Sequence, residues 1–436
     1  MSSDIPSGKL KRSGLAAMTA ARVGARQLSH VAKRPFLSAE NRDQHEQETD
    51  AANAKVIFNA LTQLRGTALK VAQMLSMETD MLPERYRHEL AKSYYQVPPL
   101  NRALIRKVVR QELGHAPDQV FASFDTQAFA AASLGQVHNA CAKDGLKLAI
   151  KVQYPGIDAT IRSDIQMVRQ LIKHMQGYES ACHALNEIEA RMQEETDYQL
   201  EADNTRWFDQ HLKMGQVIIP AVYDQWSSKH LLSMEKLEGK HLQEWLATNP
   251  SQQQRNQAAQ TIYDIYIRSV FELNRFHADP NPGNYLFCED GKLGLIDFGC
   301  VKTLTPRFAA NLSTLYQAVV VADTDTLLDT YRELGMLKSD SGDGFSNAYF
   351  DTVLSPFFDW VSRPFKCECF DFSANAGYAA ESLKLLENIR KHKGFDDGYL
   401  VLNSDFVFTD RTLYGLYKIF EQMGATVRMQ NRWTSA

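Results

Sequence analysis

The sequence predicts an α+β protein with two lobes, one strand-rich and one mostly helical, preceded by a helical extension. Three observations carry that reading. Between Phe129 and Gly156 short alternating runs flank a turn at Asp144-Gly145, which is hairpin grammar. Apolar residues recur at spacings of three and four both before residue 115 and after residue 238. Between these regions, FHADPNPGNYLF (Phe276 to Phe287) and LGLIDFG (ending at Gly299) set polar residues on tight turns around short apolar runs. With 436 residues, of which 44% are hydrophobic, the chain is long enough for two or three packed domains. The expected division is 1–50, a basic segment; 51–115, a helical extension; 116–237, the strand-rich lobe; and 238–436, the helical lobe.

Before position 40 stand Lys9, Lys11, Arg12, Arg22, Arg26, Lys33 and Arg34 against Asp4 alone. Leu15, Met18 and Val23 give that segment a weak apolar stripe, so a flexible tail, a targeting peptide and a contact with an anionic lipid surface all remain open. From Ala51 to Met77 the positions Ile57, Leu61, Leu64, Ala68, Val71 and Leu75 predict a helix with one buried stripe. It carries RGTALKVAQMLS, in which Lys70 and Gln73 share a face. A further helix is expected over Leu104 to Leu113, ended by Gly114.

The strand-rich region opens with FAAASLGQVHNA and continues into LKLAIKVQYPG. Lys151 lies in AIKV, the strand setting of a phosphate-pairing lysine, and Ala130, Ala131, Ala132 and Ser133 stand where a nucleotide-cradling loop would carry glycines. A Cβ at each alanine limits how closely backbone N–H groups wrap a polyphosphate. In EETDYQLEADN a helix carboxylate is expected to pair with Lys151, Glu195 first and Glu201 second. The apolar strand HLLSMEKLEG then breaks at Glu235 and Leu237, where backbone groups would read an adenine.

FHADPNPGN offers Asp279 and, five residues on, Asn284; LIDFG adds Asp297. Protein-kinase catalytic loops use this order, one carboxylate facing the phosphoryl acceptor, an amide oxygen and a later Asp-Phe-Gly carboxylate taking Mg²⁺. After Gly299 the chain runs through VKTLTPRF straight into a helical pattern, which leaves almost no room for an activation segment and disfavours an extended protein substrate. The fold class is therefore α+β, protein-kinase-like and two-lobed.

As a set, RGTALKVAQMLS, AAASLGQVH, AIKVQYPG, EETDYQLEADN, FHADPNPGN and LIDFG resemble the UbiB/ADCK family of atypical kinase-like proteins associated with ubiquinone biosynthesis, from about Arg65 to at least Arg307. The resemblance implies that Lys70 and Gln73 belong to a helix covering the nucleotide pocket, with Glu201 in the same pocket-facing set. It implies ATP and Mg²⁺ as cofactors, Asp279, Lys151 and Glu195 as the catalytic set, and a peripheral membrane habit. Two departures stand out: Ala72 where the family motif has Gly, and Asn281 where His is common. The expected function is an ATPase or small-molecule kinase supporting isoprenoid-quinone synthesis, with a scaffold without turnover or a conventional protein kinase as alternatives. Expected partners are ATP or ADP, anionic lipid or quinone intermediates, and quinone-biosynthesis proteins.

Bulk properties narrow the rest. A formal net charge of −4 gives no reason to expect nucleic acid. Six cysteines in no dense framework suit a reducing, cytoplasmic setting, and the lone pair Cys367 and Cys369 falls short of a four-ligand zinc site. No apolar run approaches the ~20 residues needed to span a bilayer.

Overall fold

The computed structural model describes residues 101–132, 134–173, 178–336, 354–391 and 403–429, with scattered positions between 14 and 71 and residue 352. Two compact units emerge, the first drawn from Met1–Gln199 and Tyr223–Ser233, the second from Leu200–Val222 and Met234–Ala436. The segment Leu200–Val222, expected in the strand-rich lobe, thus belongs with the helical one. Its helix explains why, because Asn204 and Phe208 on one face pack against Phe298.

In the first unit, helix α1 (Arg102–Leu113) starts where the Asn101 side chain accepts from the Leu104 amide and stops at Gly114, whose φ is 75°. Its buried Ile105, Val108 and Val109 share one face and join a core with Phe121, Leu148, Ile150 and Val152. After the short α2 (Pro117–Val120) come β1 (Ser123–Ala132), β2 (Gly135–Cys141) and β3 (Lys147–Gln153), which pair antiparallel in sequence order. Gly145 takes the φ of 90° required in the β2–β3 turn, and Asp144 accepts from the Leu146 amide across it. Helices α3 (Ile157–Ile172) and α4 (Tyr178–Glu194) follow, then α5 (Tyr198–His211), along which the chain passes into the second unit. There β4 (Val217–Ile218) forms before the return for β5 (Leu231–Glu235), which completes the sheet in the order β1-β2-β3-β5.

The second unit contains α6 (Leu242–Ala247) and α7 (Gln252–Ile267), the latter opened by a Ser251/Gln254 capping box. A π-turn at Arg268–Glu272 and a left-handed Asn274 (φ 51°) then swing the chain into β6 (Arg275–His277). Three short strands follow, β7 (Tyr285–Phe287), β8 (Leu293–Leu295) and β9 (Val301–Thr303): β7 and β8 form a hairpin, and β9 returns to pair with β6. The unit is completed by α8 (Pro306–Val321), α9 (Thr324–Glu333), α10 (Ser355–Ser362), β10 (Phe370–Asp371), α11 (Tyr378–Lys391), α12 (Ser404–Met423) and β11 (Thr426–Val427). Its core is aromatic. Trp360, Tyr263, Tyr417, Phe276, Phe298, Phe372 and Phe420 are all essentially inaccessible. Two of its buried hydroxyls are tied off against the backbone, Tyr263 to the Met429 carbonyl and Tyr266 to that of Thr409, each at 3.1 Å.

Candidate active site

The β6–β9 pair brings the two halves of the motif together. Ala278 donates from its amide to the Cys300 carbonyl at 2.9 Å, and Ile296 donates to the Asn284 carbonyl at 3.1 Å, so 278–284 and 296–300 lie side by side. Within the first of these loops Asn284 donates through Nδ2 to the Asp279 carboxylate (2.9 Å) and to its carbonyl (3.1 Å). That aims the Asn284 amide oxygen away from Asp279. Asn281 has a local reason to be there: its side chain accepts from the Gly283 amide at 2.9 Å and caps the 3₁₀ turn Pro282–Asn284.

Asp297 is held by its own turn, Oδ1 accepting from the Gly299 amide at 2.9 Å, and its carbonyl accepts from His277 Nε2. His277 therefore positions the Asp-Phe-Gly backbone directly. Helix α5 grips the same segment from another side: Asn204 donates to the Phe298 carbonyl at 3.0 Å, while its amide oxygen accepts from Arg275. Arg275 also lies 4.6 Å from the Trp207 ring centroid, and burial lowers the tendency of its guanidinium to stay charged. Glu201 is buried at 4% exposure in the first turn of α5, and a Cβ on Gly299 would stand 3.9 Å from its Oε2. Glu201 therefore sits beside Asp-Phe-Gly, on α5, not on a helix shared with Lys70 and Gln73 as grouped from the sequence. Asn204 went unnoticed in the sequence, although it falls three residues after Glu201 and four before buried Phe208 on one helix face.

In the first unit Lys151 is buried on β3 opposite Val137, with Nζ 6.0 Å from the Tyr198 ring centroid. Gly135 makes that packing possible, because a Cβ there would overlap the Val152 carbonyl and stand 2.7 Å from the Tyr198 hydroxyl. Glu195 is not on a helix as expected; α4 ends at Glu194, and Glu195 occupies the turn that follows. The helical period that placed it on a helix breaks where Thr196 and Asp197 donate back to the Gln193 and Glu194 carbonyls. This turn is docked on the lysine strand, since Gln153 Nε2 donates to the Thr196 carbonyl at 2.7 Å.

Ala130, Ala131 and Ala132 lie in the paired end of β1, opposite Val137, Gln136 and Gly135. Ser133 is outside the described residues, as are Lys70 and Gln73; Val71, between those two, is buried. Ala132→Gly is expected to cost about 0.5–1 kcal/mol of stability in a strand and to change the relative affinity for ADP and ATP. Calorimetric titration with both nucleotides checks this, and unchanged affinities would remove the segment from nucleotide contact. At the end of β5, the Glu235 amide donates to the Ala221 carbonyl at 2.8 Å. Leu237 reaches over β8, its Cδ1 3.0 Å from where a Cβ on Gly294 would stand. Among the described residues no cluster of three or more His, Cys, Asp or Glu could hold a metal, and no helix is long and apolar enough to cross a membrane.

Residues 92–331, more than half of the chain, match the ABC1 atypical kinase-like domain. The chain belongs to that family. This bears out the resemblance to UbiB/ADCK proteins carried by the six motifs. Among curated proteins the chain is 29% identical to the mitochondrial atypical kinase COQ8B of Danio rerio, over 74% of its own length and 52% of the relative's. It is 31% identical to the mitochondrial atypical kinase COQ8B of Rattus norvegicus, over 80% and 63% respectively. The ABC1 chain described here thus spans only about half to two thirds of those relatives. A solved structure of Rv3197 with erythromycin, from Mycobacterium tuberculosis, superposes with a TM-score of 0.60 at 25% identity, covering 89% of this chain and 96% of that one. The α+β kinase-like fold expected from the sequence is the family's fold.

Proposed function

We propose that this ABC1-family chain is a Mg-ATP-dependent ATPase or small-molecule kinase that supports isoprenoid-quinone synthesis and does not phosphorylate proteins in trans. One observation carries the reading: Asp279, Asn284 and Asp297 are held in a fixed arrangement by hydrogen bonds within a single unit. The donor set fits Mg²⁺, which takes hard oxygens and binds through one or two carboxylates together with substrate phosphates. Asp297 contributes a carboxylate and Asn284 an amide oxygen, so these two would hold the metal. Bound Mg-ATP would supply an electrophilic γ-phosphoryl group with its charge partly neutralised.

The remaining work falls to the protein. Asp279, with Asn284 holding one carboxylate oxygen, accepts the proton of the attacking hydroxyl or water. Lys151, oriented by Glu195 in the turn docked on its strand, takes the phosphates. The end of β1 at Ala130, Ala131 and Ala132, with Ser133 next in sequence, would cover them, and the backbone at Glu235 and Leu237 would read the adenine. By the family resemblance Lys70 and Gln73 would act as the cover of the nucleotide, with Glu201 supporting Asp-Phe-Gly. Protein substrates are disfavoured because the stretch that follows Gly299, from Val301 to Thr305, is already engaged: β9 pairs with β6, Leu304 donates to the Asn274 carbonyl, and Thr305 caps α8.

The test is ADP release from Mg-ATP by the full chain, with and without liposomes containing anionic lipid. Seven basic residues before position 40 can each contribute about 1 kcal/mol at such a surface. Liposomes are therefore expected to raise turnover, and deletion of residues 1–40 to remove much of that rise. Mg-ATP binding without turnover under any condition would favour a scaffold instead. Equal activation of the truncated protein would show that the basic segment plays no part.

A further inference from the structure

Helix α12 carries a glycine in its middle, Gly415, whose φ is not in the left-handed region. Alanine is intrinsically a better helix residue, so conformation alone does not call for glycine here. Space does. A Cβ on Gly415 would lie 2.5 Å from Pro280 Cβ and closer still to its Cγ. Pro280 is the residue after Asp279, and its ring is part of the backbone, so it cannot swing aside as a long side chain would.

Which partner would yield is decided by how each is held. Helix α12 is anchored along its length: Asn403 caps it by accepting from the Asp405 and Phe406 amides, Tyr266 donates to the Thr409 carbonyl, and Leu413, Leu416, Tyr417 and Phe420 are almost inaccessible. The loop is held by local hydrogen bonds, from the Ala278 amide, within the Asn281 turn, from the Asn284 side chain and from the Ile296 amide to the Asn284 carbonyl, rather than by a whole buried helix face. One helical turn before Gly415, Thr412 joins Leu416 in lining a small cavity behind His277. In that cavity His277 Nδ1 and Ser269 Oγ have no hydrogen-bond partner among the described residues. Pro280 therefore rests on this helix, which also closes one side of the cavity behind His277.

We infer that Gly415 is a positioning residue for Asp279: the bare backbone of α12 is the seat on which Pro280 sets the catalytic loop. Helix α12 lies beyond residue 331, outside the part of the chain that matches the family domain. The inference deepens the phosphoryl-transfer reading and, for its activity readout, rests on it.

The experiment compares Gly415→Ala, Pro280→Gly, which removes both the ring and the Cβ, and the double variant in the full chain. Gly415→Ala is expected to lower kcat at least tenfold while the dissociation constant for Mg-ADP changes less than threefold. The double variant, with room for the added methyl, regains most of that loss. Hydrogen–deuterium exchange gives a readout independent of activity: the Ala278 and Asn284 amides should exchange faster in Gly415→Ala and return towards the parent rate in the double variant. If the parent hydrolyses no ATP, the functional reading fails while the exchange result still decides this one. Unchanged exchange in Gly415→Ala overturns the inference, as does a defect that removal of the Pro280 ring leaves in place. Should Gly415→Ala fail to fold, the double variant is expected to fold, and its failing likewise would overturn the inference too.

Discussion

Asp297→Asn is expected to abolish the Mg²⁺-dependent part of nucleotide affinity while leaving the fold intact. The asparagine side-chain oxygen can still accept from the Gly299 amide, and the carbonyl that receives His277 is backbone, so the turn keeps both of its supports. What disappears is one negative charge at the position proposed to face a divalent cation. In a partly desolvated setting the loss of such an interaction is worth on the order of 100-fold or more, about 3 kcal/mol. Calorimetric titration with ATP in the presence of Mg²⁺ and then of a chelator reads this difference. The parent should lose affinity when the metal is removed, and the variant should bind equally weakly in both conditions. If the variant binds Mg-ATP as the parent does, Asp297 is not the metal carboxylate.

The reason Asp297 could be singled out from the sequence is that its surroundings are local. Asp279 and Asn284 are five residues apart and hydrogen-bond directly, and the short apolar run before Asp-Phe-Gly supplies β8. Lys151 was legible for a similar reason, since an alternating strand with hairpin turns fixes its own pairing partners. The supports of these residues were not legible. Asn204 reaches Phe298 across 94 residues, and Gly415 meets Pro280 from a helix outside the matched domain. Helical periodicity shows which face of α5 or α12 is buried, but the partner of that face depends on how distant helices pack. The helical placement of Glu195 differs in the other direction, because periodicity carries the helix one residue past the place where the backbone turns.

Helix α12 also carries the second large effect. Asp410 lies among Tyr266, Tyr316, Tyr331, Tyr414 and Tyr417, whose ionisation its charge opposes, and among the described residues Tyr414 donates to it at 3.1 Å. Burial among these rings disfavours the carboxylate and pushes Asp410 up from 3.8 to about 7, with the Tyr414 hydrogen bond opposing the shift only in part. A carboxyl group whose folded pKa lies above its unfolded one binds its proton more tightly in the folded state. Its favourable contribution is complete below pH 3.8 and is lost as the pH rises through about 7. At pH 8 the folded protein therefore carries a buried charge that costs on the order of 2–4 kcal/mol. Asp410→Asn removes that charge and keeps the shape, so its Tm at pH 8 should exceed the parent's by about 5–10 °C. At pH 5, where the carboxyl is ionised in the unfolded chain but still protonated in the fold, the advantage should be smaller, and below pH 3.8 it should vanish. Thermal melts of both proteins from pH 3.5 to 8.5 show this as two curves that diverge as the pH rises from 3.8 to about 7 and keep a constant gap above that. A constant gap over the whole range would mean that the fold leaves the Asp410 titration unshifted and that solvent, not the tyrosine cluster, sets its environment.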